Sequence, residues 1–242
     1  MGLFDKLKPK SPLEKAAKQV KEVYAQPDYR RAAMDKLFEI ATPEAYTALL
    51  GRFTINANGQ IADESEKREL VDQLVSLGEP VVEPLKQFIR SEKTIAFPIR
   101  ALQKILGRQD SFDFLLETLL AYEPLDHRTT QAKTTLIFSI AEVAAPEDAD
   151  KLASYLGDHA DDVQFQTIEA LQKLENPDST EALAKVCTSD EHSGRVQRRA
   201  AQALVDLGWN VKPYFGDFPQ ELKDEYMLGK KGVLVKKSTT EE

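Results

Sequence analysis

RVQRRAAQALVDLG, residues Arg195–Gly208, is the stretch that decides the fold. Its alanines and leucines recur at the spacing i, i+3, i+4, i+7, which places them on one face of a helix, and Gly208 then ends the run. Two further stretches repeat the pattern, DYRRAAMDKLFEIA at Asp28–Ala41 and DDVQFQTIEALQKL at Asp161–Leu174. The return of one amphipathic helix along the chain predicts an all-α superhelix, a solenoid of helical hairpins.

The repeats share a common register when they are aligned on the last apolar residue of each first helix. These residues lie 28–38 positions apart, a period typical of helical-hairpin repeats. They are Ile40, Leu77, Ile105, Val143, Leu174 and Leu207. Proline stands three positions after four of them, where the first turn of a second helix does not need an N–H. Second helices are therefore expected at Pro43–Phe53, Pro80–Arg90, Asp110–Tyr122, Pro146–Leu156 and Pro177–Cys187.

The expected organisation has three parts. Residues 1–27 form an N-terminal tip and a capping helix, residues 28–210 an array of about six hairpins, and residues 211–242 a loop, a short helix and an exposed tail. A capping helix is expected because the end of a solenoid needs a terminal element that covers it. Pro98 falls inside the third first helix, so we expect a kink there.

Composition excludes some classes of function. The 242 residues carry a net charge of −8, which disfavours a nucleic-acid binder because phosphate contacts need a basic surface. No apolar run approaches the ~20 residues of a membrane-spanning helix, so no integral membrane segment is expected. Cys187 is the single cysteine, which excludes an intrachain disulfide and favours a cytoplasmic location.

The first residues leave two interpretations open. Leu3, Phe4 and Leu7 share one helical face beside several lysines, a pattern that permits weak peripheral tethering to anionic lipid. The favoured alternative is a frayed N-terminus.

One long gap between repeats resembles a calcium loop. Its asparagines and Gly59 match ligand and turn positions, but Thr54 and Ser65 replace the two acids that an EF-hand most needs. A tight turn before the next helix explains Asn58–Gly59 more simply. We therefore expect no calcium and no other metal or cofactor.

Three histidines occupy corresponding turns. His127, His159 and His192 are spaced by 32 and 33 residues, and each follows an acid. Equivalent atoms of stacked helix layers lie about 8–10 Å apart, too far for zinc ligands with bonds of ~2 Å. We expect solvated turn residues whose neighbouring acids support the next helix.

Two other features of the sequence are predicted to have a structural role rather than a catalytic or binding one. Cys187 lies on the inward face of its helix and is expected to be buried rather than reactive. The arginine cluster at 195–199 resembles Arg30–Arg31 in the first repeat. We expect a ladder with acids of the neighbouring layer, such as Asp161 or Asp162, and the alternative is phosphate binding.

The second helices in the middle of the array are apolar on more than one face. Two interpretations follow, an exposed groove for a partner helix or peptide and additional burial. If a binding surface exists, we expect it here, with charged residues as its polar rim. The candidate protein-binding residues are Val81, Glu83, Leu85, Lys86, Phe88, Phe114 and Glu117.

The stretches VQRRAAQALVDLG, DVQFQTIEALQKL and PEDADKLASYL resemble HEAT repeats, in particular the short bacterial PBS-lyase HEAT-like type. The likeness covers about Asp28–Trp209. It implies antiparallel hairpins stacked into a right-handed superhelix with the second helices on the concave side. Members of this family include scaffolds, chromophore lyases, hydroxylases and glycosylases, so the resemblance is specific for architecture and not for activity.

The leading functional hypothesis is a non-enzymatic scaffold or adaptor with an unidentified protein partner. It rests on the extended surface of a solenoid and on the lack of a convergent catalytic set. Two alternatives come from the resemblance, a chromophore-lyase-like or chaperone protein and a HEAT-like DNA glycosylase. A deep apolar pocket favours a chromophore, a basic aromatic groove favours DNA, and a shallow mixed groove favours a protein.

Overall fold

A computed structural model describes residues 11–123 and 126–238. Contacts divide the chain into two compact units, with the boundary between Ser111 and Phe112. Each unit is built from packed α-helices, and the expected class, an all-α helical-repeat solenoid, is confirmed. Across the described part of the chain, every helix is too short or too polar to cross a bilayer. Leu3, Phe4 and Leu7 lie outside the described residues, so membrane tethering stays a prediction.

In the first unit, first helices pack on first helices and second helices pack on second helices. Its helices are α1 (Pro12–Gln19), α2 (Pro27–Ile40), α3 (Pro43–Leu50), α4 (Gln60–Leu77), α5 (Val82–Ser91) and α6 (Ala96–Leu106), and α7 (Arg108–Leu120) begins there and continues past the boundary. First helix α4 packs on first helix α6, and second helix α3 packs on second helix α5. Helix α1 packs on α2 and α3, the position expected for a capping helix, although it ends at Gln19, well before the end of the range 1–27 expected for the tip and this helix.

In the second unit, first helices likewise pack on first helices. Its helices are α8 (Thr130–Ala141), α9 (Ala149–Ala153), α10 (Asp161–Leu174), α11 (Thr180–Thr188), α12 (Gly194–Leu207) and α13 (Gln220–Glu225). The first helices α8, α10 and α12 pack side by side in chain order, and α11 packs on α12. Ile168, Leu171 and Leu204 on these helices are fully buried, as the apolar stripe predicts.

The predicted register is confirmed at four first helices, because α2, α4, α10 and α12 end at Ile40, Leu77, Leu174 and Leu207. The expected kink at Pro98 is wrong. Pro98 is the third residue of α6, within the first turn, where a proline removes no intrahelical hydrogen bond.

The expected exposed tail is also wrong over residues 229–238. Strands β1 (Tyr226–Leu228) and β2 (Leu234–Lys236) pair antiparallel, with Leu228 opposite Leu234, and β2 packs on α12. Tyr226 and Leu234 are each 2% exposed, so their side chains extend the core beyond the last first helix. The connection turns at Lys231 and Gly232, both with positive φ, which a glycine tolerates readily. The last four residues of the expected tail lie outside the described range.

Three first helices end in a left-handed residue, and only one of these residues is glycine. Gly208 (φ 63°) follows α12, whereas Ala41 and Glu175 (both φ 52°) follow α2 and α10. A side chain is strained in this conformation and glycine is not.

We therefore expect Glu175→Gly to raise the free energy of unfolding by about 0.5–1 kcal/mol and Gly208→Ala to lower it by about 1 kcal/mol. Urea denaturation followed by circular dichroism measures both changes. If both variants moved stability in the same direction, left-handed strain would not be the controlling factor.

Candidate functional site

A cluster of five buried charged side chains lies in the first unit, and we call it the ionic cluster. Its members are Arg30, Arg52, Asp63, Glu66 and Lys67. Three of them lie on α4 at spacings of three and four residues, so they share one face of that helix. The same face continues into apolar Leu70. Charges that continue an apolar face are the signal that sequence reasoning could have used to find this cluster.

Glu66 holds the two arginines together. Arg30 donates from Nε and Nη2 to the two Glu66 oxygens, each at 3.0 Å, in a bidentate pair. Arg52 donates from its own Nε to Glu66 Oε1, the oxygen that already accepts from Arg30 Nε. Arg30 also donates to the backbone carbonyl of Ala25 at 2.6 Å. Helix α2, the turn after α3 and helix α4 are therefore joined through one carboxylate.

Asp63 connects the arginines to Lys67. Its Oδ1 accepts from Arg52 Nη2 at 2.6 Å and from the Ala57 amide at 2.9 Å, and its Oδ2 lies 2.7 Å from Lys67 Nζ. Lys67 Nζ also donates to Asn56 Oδ1 at 2.9 Å. The residues of the calcium-like loop thus bind a lysine and a carboxylate of their own chain.

The cluster shifts the pKa of both of its acids downward. Burial acts against ionisation of Glu66, but hydrogen bonds from Arg30 and Arg52 outweigh it and lower its pKa. Burial likewise opposes ionisation of Asp63, and the contacts with Lys67, Ala57 and Arg52 lower its pKa. Both groups are therefore carboxylates at neutral pH.

A cavity of about 470 Å³ borders the ionic cluster. Phe53 and Phe97 form one wall, with nearly parallel rings whose centroids lie 5.7 Å apart. Asp63 and Lys67 of the ionic cluster form the polar wall, and Lys67 Nζ lies 6.0 Å from the centre of the Phe97 ring. The other lining residues are Asn56, Ala57, Gln60, Glu64, Thr94 and Ala96.

The structure brings two of the three histidines much closer than their layer spacing predicts. His159 Nε2 lies 2.5 Å from His127 Nδ1, with ring centroids 3.9 Å apart, so the expected separation is wrong for this pair. Side chains of adjacent layers reach toward each other across the gap between backbones. His192 Nδ1 lies 3.0 Å from Gln164 Oε1, and Gln164 in turn donates to the backbone carbonyl of Asp158.

These contacts form a polar chain between layers. His159 Nδ1 lies 3.3 Å from Asp158, and Asp158 pairs with the fully buried Lys133 while accepting from the Ala160 amide at 2.9 Å. Burial lowers the pKa of His192, against the opposing effect of Glu191 and Asp161. Within residues 11–123 and 126–238, no three histidine, cysteine or acidic side chains are grouped to hold a metal ion.

The arginine ladder exists, but with different acids from those expected. Arg199 lies 3.8 Å from Glu169 on the neighbouring first helix, and Arg198 donates to Glu225 at 2.6 Å. Asp161 instead accepts from Ser193 at 2.7 Å. Arg195 lies over the ring of Phe165 at 4.5 Å, a cation–π contact.

Cys187 is buried, as expected. Burial raises the pKa of its thiol to about 12, so at neutral pH it remains a thiol.

The four apolar residues expected to line a groove in the middle second helices are not exposed. Val81 and Leu85 have no exposed surface, and Phe88 and Phe114 are 8% and 5% exposed, so these four residues belong to the core. Glu83 and Glu117 are exposed and Lys86 is half-buried, but the apolar floor that they were expected to surround is absent from the surface. The interpretation as additional burial is therefore the correct one for the four apolar residues.

A different groove lies in the second unit, between two successive second-helix layers. It encloses about 350 Å³. Three exposed acids, Glu147, Asp150 and Asp178, lie around a base of small residues. The remaining lining residues are Ala153, Asn176, Ser179 and Ala182. Asn176 donates to the Pro146 carbonyl at 2.9 Å and so fixes the two layers against each other. We call this feature the acidic groove.

Comparison with known proteins finds a family similarity in the part of the chain that contains this groove. Residues 122–205 match the family model of HEAT repeats. No curated protein matches the chain.

Proposed function

We propose that this chain, whose residues 122–205 match the family model of HEAT repeats, is a non-enzymatic scaffold that binds a basic segment of a partner protein in the acidic groove. HEAT repeats form helical scaffolds that often serve in protein interaction. The groove lies entirely within the matched repeats, and its three exposed carboxylates are the observation that carries the proposal.

The charge and shape of the groove favour a lysine or arginine side chain. Glu147, Asp150 and Asp178 converge on one concave site, where low-dielectric walls strengthen their attraction for a cation. The half-buried Ala153 and Ala182 keep the base shallow enough for an extended chain or a helix face to approach. The chain's net charge of −8 favours encounter with a basic partner over a nucleic acid.

Peptide selection tests the groove. We expect wild-type protein to enrich lysine- and arginine-containing sequences from a random-peptide display library, and their affinity to fall as salt rises. The double variant Asp150→Lys/Asp178→Lys should weaken the selected peptides about tenfold or more, because the site then repels them.

The matched control is Asp206→Lys/Asp224→Lys, which changes the net charge equally at exposed acids outside the groove. It should bind like the wild type, apart from a small long-range effect that salt removes. Selection of peptides without basic residues, or equal losses in both double variants, would count against the groove.

Finer assignments belong to the same proposal. The motifs VQRRAAQALVDLG and PEDADKLASYL support the bacterial PBS-lyase HEAT-like subtype, and the single Cys187 supports a cytoplasmic location. The proposed scaffold needs no cofactor.

A further inference from the structure

The cavity beside the ionic cluster is built from two chemically different walls. One wall carries the parallel rings of Phe53 and Phe97, and the other carries Asp63 and Lys67. Its volume of about 470 Å³ is in the range of small-molecule sites, which combine apolar surface with a few fixed polar groups. Phe97 is half-buried, so part of its ring faces the open space.

The charges of the ionic cluster do not balance. Arg30, Arg52 and Lys67 are positive, Asp63 and Glu66 are negative, and all five are between 0% and 6% exposed. One positive charge is therefore left in a largely buried set. Buried charge is costly unless it is paired, so this excess favours an added anion.

The excess charge is accessible at Lys67. Both arginines direct their donors to Glu66, Asp63 and backbone carbonyls, whereas Lys67 lines the cavity. Its ammonium has three N–H groups. Among the described residues it contacts two acceptors, Asp63 and Asn56. Arg100 is not a lining residue of the cavity, but its guanidinium lies 5.6 Å from the centre of the Phe97 ring. Glu64 also lines the cavity, but its carboxylate is paired with Arg68 at 2.8 Å.

We propose that this cavity binds a small organic carboxylate with an apolar body. The carboxylate accepts from Lys67 Nζ and balances the ionic cluster. The hydrocarbon part packs on the Phe97 ring beside Phe53. Lys67 Nζ and the ring centre lie only 6.0 Å apart, so one small ligand can contact both. The site is separate from the acidic groove and does not depend on the scaffold function.

Titration of the full chain with three matched probes tests the charge preference. Hydrocinnamate, hydrocinnamamide and phenylpropylamine share a phenyl ring on a short chain and differ in the charge of the end group. Isothermal titration calorimetry should show the order acid, then amide, then amine, with about tenfold or more between acid and amide. Equal affinity for acid and amide, preference for the amine, or no binding of the acid would each overturn the proposal.

Variants then locate the site. Lys67→Met leaves two cations and two anions in the ionic cluster, so the chain should stay folded while hydrocinnamate binding falls about tenfold or more. Phe97→Ala should weaken the acid and the amide by the same factor, because it removes only the apolar contact. The control Lys104→Met removes an exposed lysine paired with Asp72 and should bind like the wild type.

Unchanged binding in Lys67→Met, with circular dichroism like that of the wild type, would place the probe elsewhere and overturn the assignment. If Lys67→Met does not fold, the order of the three probes on wild type and Phe97→Ala decides the question instead.

Discussion

Replacement of Glu66 by glutamine is expected to lower the free energy of unfolding by about 3–5 kcal/mol, the cost of breaking a buried ion pair by removing one partner. Glu66 is 3% exposed and accepts from both Arg30 and Arg52. An amide of the same shape keeps one acceptor oxygen and loses the negative charge. Of the two buried guanidinium groups, Arg52 then keeps Asp63 as a carboxylate partner, whereas Arg30 keeps only backbone carbonyls beside the amide. Urea denaturation followed by circular dichroism measures the change.

The matched control is Glu69→Gln, one helical turn further along α4. Glu69 pairs with Arg31 at 3.0 Å, but both side chains are about half exposed, at 54% and 49%. Exposed pairs contribute about 0–1 kcal/mol, so this variant should be nearly neutral. Equal losses in the two variants would mean that burial of the ionic cluster has no energetic consequence.

The same prediction includes a dependence on pH. The folded-state pKa values of Glu66 and Asp63 are lowered, so their contribution to stability is fully present above their ordinary values of 4.5 and 3.8. It is lost as the pH falls through the folded-state values. Glu66→Gln should therefore lose less stability than the wild type between neutral and acidic pH. If Glu66→Gln lost as much stability as the wild type over this pH range, other carboxylates would be responsible for the loss of stability in acid.

Replacement of Asp158 by asparagine is the second large expected loss, also about 3–5 kcal/mol. The change keeps an acceptor for the Ala160 amide but removes the negative charge that faces the fully buried Lys133 ammonium. The double variant Lys133→Met/Asp158→Asn should regain part of the loss, because a methionine side chain needs no counter-charge there. Thermal and urea unfolding of the three proteins measure this coupling.

Glu142→Gln is the control for this pair. Glu142 and Lys173 also join successive layers of the second unit, but their side chains are 48% and 47% exposed. We expect a change within about 1 kcal/mol. A double variant no more stable than Asp158→Asn would show that the ammonium is not the source of the loss.

Much of the repeat architecture follows from local pattern. The ends of α2, α4, α10 and α12 are predictable because an apolar stripe stops and a proline or a left-handed residue follows. The prediction of a kink at Pro98 was wrong because the sequence signals the start of α6 less strongly than its end. Pro98 could therefore not be placed in the first turn of the helix. The β-hairpin was missed because a strand of three residues gives too few alternations to recognise.

The candidate sites depend on pairs of residues far apart in the chain, which periodicity does not reveal. Arg30 meets Glu66 across 36 residues, and His127 meets His159 across 32. Layer spacing predicted separated histidines because it describes backbones and ignores the reach of side chains. The apolar residues of α5 and α7 were ambiguous because a stripe wider than one face fits both an exposed groove and deeper burial.

The shared carboxylate of Glu66 has an evolutionary consequence. Because one acid serves two arginines, a lineage that loses it leaves Arg30 without a carboxylate partner and Arg52 with Asp63 alone, and a single compensating change at one arginine does not restore the other. We therefore expect the residues at positions 30, 52 and 66 to change together among relatives. Relatives should retain all three together or exchange all three for apolar residues, with intermediate combinations scarce.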